Sequence, residues 1–204
     1  MNFKFFRKPK KKIVVSAIVI LMLLLLAGGV FLFLNREIKG KPSDYVIRDT
    51  EQGKIIENKR AGFSAKVPDQ WEAKRMEIEE GLISISSQNI EVRWRDDKVI
   101  LPLEKGCMVH AQVLYKEMNF QEIEEEARYT HYMMGRKSEE FEEISINSYK
   151  ALKNIFDIQD FGPGIGVYVP VENRVCSFYL FWALDNREEC VQEFNKFLET
   201  VVID

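Results

Sequence analysis

The chain has 204 residues, 46% of them hydrophobic, and a formal net charge of −3. A length of this order sets an expectation of one domain with additions, large enough to bury a core without staples. Lys4, Arg7, Lys8, Lys10, Lys11 and Lys12 stand in residues 1–12 with no acid among them, so the remainder sets 23 Lys+Arg against 32 Asp+Glu. That acidic balance excludes nucleic acid as a partner, because phosphate contacts need a basic face.

After the basic leader comes an uncharged run, Ile13 to Leu34, with Ser16 as its one polar side chain. Its 22 residues would span about 33 Å as a helix, enough for a hydrocarbon core of about 30 Å. A buried core helix of that length would show a polar face, and this one shows none. The run therefore reads as an uncleaved transmembrane anchor. A cleaved leader ending at Ala27-Gly28-Gly29 is the rival reading, opposed by the apolar continuation through Leu34. The basic excess before the run places the N-terminus in the cytoplasm and the rest of the chain outside it, at the cell membrane.

Residues 35–53 are polar, carry Gly40, Pro42 and Gly53, and read as a linker with one short strand at 45–48. The folded domain is expected over 54–204. Phe63, Ala65 and Val67 alternate with polar neighbours, as do Ile90, Val92 and Trp94, and this period of two marks strands. Further strands are expected at 72–78, 82–87, 107–115, 141–147, 150–158, 165–171 and 174–184. A helix over 120–134 is signalled by Asn119 followed by Glu122, a capping box. A second helix is expected after Asp185, paired with Glu188, with Cys190, Phe194, Phe197, Leu198 and Val201 on one face. Antiparallel strands covered by two helices make an α+β sandwich.

Gly62-Phe63-Ser64 and then Val67-Pro68-Asp69-Gln70-Trp71 resemble the G-F-S-x-x-x-P-x-x-W opening of PsbP-like domains. The final hairpin and the closing Phe197-Leu198-Glu199-Thr200-Val201 are similar to that family's end. The resemblance covers residues 54–204 and extends to bacterial exported proteins of the DcrB and LpqN kinds. It implies an antiparallel sheet between helices and a role in binding or assisting other proteins. Read from the residues alone, Phe63 and Trp71 are core aromatics and Pro68 ends an edge strand.

The sequence carries no recognisable catalytic set, cofactor site or metal site. His110 and His131, the only histidines, read as structural, and the Glu runs at 122–126 and 139–143 as solvated faces. Cys107 and His110, three apart on a strand, face opposite ways. Asp160-Phe161-Gly162 matches a kinase tripeptide without the other kinase elements. Of the three cysteines, Cys176 and Cys190 are too far apart along a strand and its following helix to bond. Buried thiols are the default, with a Cys107–Cys176 bridge left open. Trp94, Tyr168 and Tyr179 fall away from the best apolar stripes and form the candidate binding surface. The expected function is that of a membrane-anchored accessory domain binding a protein or envelope component. A small-ligand or metal-binding receptor is the alternative, and an enzyme ranks last.

Overall fold

A computed structural model describes Met22 and residues 40–204, apart from 77–80, 96–97, 134–135 and 159–161. The expected anchor, Met22 excepted, and the basic leader lie outside the described residues. Among the described residues no helix is long and apolar enough to cross a membrane. The folded unit begins at Lys39 rather than Lys54, so much of the expected linker belongs to the domain. The reason is Tyr45, fully buried at the start of β1 (Tyr45–Thr50). Its hydroxyl donates to the carbonyls of Gly81 and Ala111, which satisfies a polar tip that burial strips of water.

The large sheet has seven antiparallel strands in the order β4-β5-β8-β12-β11-β10-β9. They are β4 (Trp71–Arg75), β5 (Leu82–Ser87), β8 (Cys107–Leu114), β9 (Arg136–Ile146), β10 (Tyr149–Ile158), β11 (Gly162–Val171) and β12 (Arg174–Trp182). A second sheet runs β1-β2-β3-β13, built from β1, β2 (Gly53–Asn58), β3 (Phe63–Lys66) and β13 (Val202–Ile203). The hairpin β6 (Glu91–Arg95) and β7 (Lys98–Lys105) stands apart from both. β2, β7 and β13 were not expected. Pro102 argues against a strand by its missing donor, and β13 is two residues long.

The alternation along β12 sorts the core. Cys176, Phe178, Leu180 and Trp182 point to one face, where they meet the small sheet and α2 (Arg187–Glu199). There the rings of Phe63, Phe178 and Phe197 form a chain, with centroids 5.6 and 5.8 Å apart. Val175 and Phe181 point to the other face, toward α1 (Phe120–Met133) and the β6–β7 hairpin. Both faces of the large sheet are therefore covered, as its near-continuous burial along β12 requires. Gly164 permits one close approach on the second face: a Cβ there would stand 2.3 Å from the Phe156 ring.

The helix ends differ. Asn119 and Glu122 form the expected reciprocal box, each backbone N–H donating to the other's side chain at 2.8 and 3.0 Å. The second helix departs from expectation: a 3-10 turn occupies Leu184–Asn186, and α2 starts at Arg187 with no side-chain cap.

Its start is fixed instead by a disulfide. Cys107 and Cys190 are bonded, with Cα atoms 5.5 Å apart, and Cys176 is a buried thiol. This corrects the expectation of a Cys107–Cys176 pair or three thiols. In the observed register Cys107 lies opposite Trp182, the last residue of β12, while Cys176 lies opposite Val113. Six residues of strand, about 20 Å, thus separate Cys176 from the end where α2 turns back.

Candidate functional site

Two of the aromatic residues expected to form a binding surface, Tyr168 and Tyr179, pack within the fold instead. Tyr168 is buried beneath α1, its ring 5.7 Å from Tyr179 and 6.5 Å from Phe141. Tyr179 is half-buried in the same layer. Both lie off the main apolar stripe because they serve the sheet's second covered face. Trp94 belongs to β6, opposite Val99, and its side chain lies outside the described residues. Among the described residues, the aromatic side chains that stand in solvent are Tyr129 and Tyr132 on α1.

The histidines are held apart. His110 packs on Phe181 at 5.3 Å, Phe181 on Phe156 at 5.9 Å, and Phe156 on the fully buried His131 at 5.0 Å. Two phenyl rings intervene, so the pair does not share one ion. Among the described residues no three His, Cys, Asp or Glu side chains gather as metal ligands. Cys107 faces the main core while His110 faces α1's side of the sheet, and the Cys107 sulfur is bonded to Cys190.

Burial pushes the His110 imidazole down to about 4 from its ordinary 6.5, because the charged ring would lose its hydration. Its Nε2 is buried with no hydrogen-bond partner among the described residues. The unfolded chain therefore takes up a proton between pH 6.5 and about 4 that the folded one refuses. Stability is full above the unfolded value and declines as pH falls toward the folded one, by at most about 3 kcal/mol. Unfolding titrations of the wild type and His110→Gln across this interval should show the smaller pH slope in the variant. Equal slopes would contradict this reading of His110.

A groove of about 620 Å³ opens between the turn joining β3 to β4, the turn joining β5 to β6, and α2. Its volume falls in the range of ordinary ligand sites. Trp71 is half-buried, packs against the main core and lines the groove with Val67 and Phe197. Gln70 adopts φ 66, the left-handed conformation that lets the Pro68-Asp69-Gln70 segment turn before the Trp71 strand. The Trp71 N–H donates to the Pro68 carbonyl at 3.0 Å.

Both ends of the helical wall are fastened. At its end, the Thr200 hydroxyl donates to the Phe197 carbonyl at 2.8 Å and accepts from the Lys66 N–H at 3.0 Å. At its start, the Cys107–Cys190 bond ties it to β8, and the Cys107 N–H donates to Ser87 Oγ at 3.0 Å. Ser87 is also a groove residue. Gly106, at φ +80, lets the opposite turn close in, since a Cβ there would lie 2.5 Å from Ser87 Oγ and 2.9 Å from Asn89 Oδ1. The groove thus has walls set by covalent and backbone constraints, the kind of preorganisation that lowers the cost of binding.

Sequence reasoning singled out Pro68 and Trp71 but gave Trp71 a core role alone. Ser87, Gln88, Asn89 and the outer face of α2 carry no local signal, because only tertiary folding brings them beside that turn.

No family model matches the sequence, and no curated protein matches it. Among solved structures, the solution structure of cyanobacterial PsbP (CyanoP) from Synechocystis sp. PCC 6803 aligns with a TM-score of 0.51 at 9% identity. The match covers 74% of this chain and 91% of that one. At such identity the likeness concerns the fold, and fold does not carry function with it. The chain has a PsbP-like fold: a largely antiparallel sheet with two helices.

Proposed function

We propose that the protein is a membrane-tethered, extracytoplasmic accessory domain that binds a protein or envelope component through the groove beside Trp71. The observation that carries this reading is the groove itself, whose helical wall is fastened at both ends beside the segment that resembles PsbP-like domains. The uncharged run 13–34 behind six basic residues supports the tether. The Cys107–Cys190 bond supports a site outside the cytoplasm, since structural disulfides persist in oxidising compartments. A tether raises the effective concentration of a weak binder near membrane partners, which suits an open groove. Binding, rather than catalysis, fits a groove with no histidine or free thiol among its lining residues.

In-cell crosslinking of the full-length protein, with purification of the adduct, tests the reading. A variant retaining residues 1–38 alone is the control. A defined adduct that disappears in the control supports the proposal. Recovery of the same species from both, or of none from either, contradicts it.

A further inference from the structure

Resting on the groove as the binding site, we infer that its ligand is a neutral, hydroxyl- and amide-rich chain, an N-acetylated oligosaccharide segment. The charges in the groove come mostly as closed pairs. Lys66 Nζ lies 3.2 Å from Asp69 Oδ1, and Lys196 Nζ lies 2.7 Å from Glu193 Oε1. Each ammonium has a carboxylate beside it, and with Lys66 and Lys196 set against Asp69, Glu189 and Glu193 the lining is net negative, which disfavours a phosphate or carboxylate ligand. Glu189 is the one remaining charge, too little to select a polycation.

What the groove leaves unused is neutral. The side-chain amides of Gln70, Gln88 and Asn89 are exposed and make no hydrogen bond with the described chain. Each offers donors and an acceptor on one rigid plane. The half-buried Trp71 supplies apolar surface among them. A pyranose ring presents the complement, with an apolar face of C–H groups for the indole and hydroxyls around its edge for the amides. An acetamido group pairs with a side-chain amide as donor and acceptor together. An extended peptide would instead seek unpaired backbone N–H and C=O groups along a strand edge, and the groove walls are a helix and two turns.

The test titrates full-length protein in detergent with the N-acetylglucosamine tetramer, followed by tryptophan fluorescence and calorimetry. Saturable binding that changes little with salt is expected. Trp71→Phe should remove most of the fluorescence change. Gln88→Ala with Asn89→Ala, both exposed and remote from the core, should weaken binding by about tenfold. Binding left unchanged in that double variant would overturn the assignment, as would tighter, salt-sensitive binding of the de-N-acetylated, cationic tetramer. If the tetramer fails to bind while the double variant still loses the cellular adduct, the ligand class is wrong and the groove reading stands. If the tetramer fails and the adduct survives the double variant, both fall.

Discussion

Replacing Cys107 and Cys190 together by alanine should lower the stability of the domain by about 2–4 kcal/mol, read as a shift in the urea midpoint of the full-length protein. The bond spans 83 residues of sequence, a long loop whose closure restricts the unfolded chain strongly. Both side chains are buried, at 2% and 0% exposure, so the variant also loses packing at the junction of β8 and α2. In the wild type Cys176 should not exchange with this bond, and in the double variant it is the one cysteine left, with no thiol to pair with. It is buried, and that burial pushes its thiol up to about 12, which leaves almost no thiolate to attack a disulfide. A reducing agent should reproduce the loss in the wild type and leave the double variant unchanged. If wild type and variant unfold together in the absence of reductant, the bond has no stabilising role.

Phe178→Ala should cost about 3–5 kcal/mol, in the range found for large aromatic truncations in a core. Phe178 is 1% exposed in the central strand β12. It touches Phe63 of the small sheet and Phe197 of α2. Truncation therefore opens a cavity where three elements meet, and Phe197, itself a groove residue, loses a support. Tyr132→Ala, at 79% exposure on α1, should change stability by no more than about 0.5 kcal/mol. Comparable losses in the two variants would contradict the placement of the core.

These contrasts follow what could be read from residues alone. Local signals with a fixed mechanism transferred well: Asn119 and Glu122 begin α1 as their spacing indicates, and the alternation of Cys176, Phe178, Leu180 and Trp182 marks the stripe that meets the main core. Features set by tertiary register did not transfer. The partner of Cys107 depends on its standing opposite Trp182, where β12 ends and the chain turns into α2. Tyr168 and Tyr179 looked peripheral because alternation assigns a face without saying whether that face is covered, and α1 covers it. The groove was the least legible part. Its amides come from two turns, at Gln70 and at Gln88-Asn89, and an exposed polar residue looks alike in any turn. Only Pro68 and Trp71 pointed there, through the family resemblance.

The most direct measurement places a photo-crosslinking side chain at Gln88 in one variant and at Tyr132 in another, both in the full-length protein in cells. Gln88 lines the groove, and Tyr132 stands exposed on α1 across the large sheet. Recognition through the groove predicts a discrete adduct from position 88 and none from position 132. An adduct from position 132 alone would contradict it and move the binding surface to the exposed tyrosines of α1.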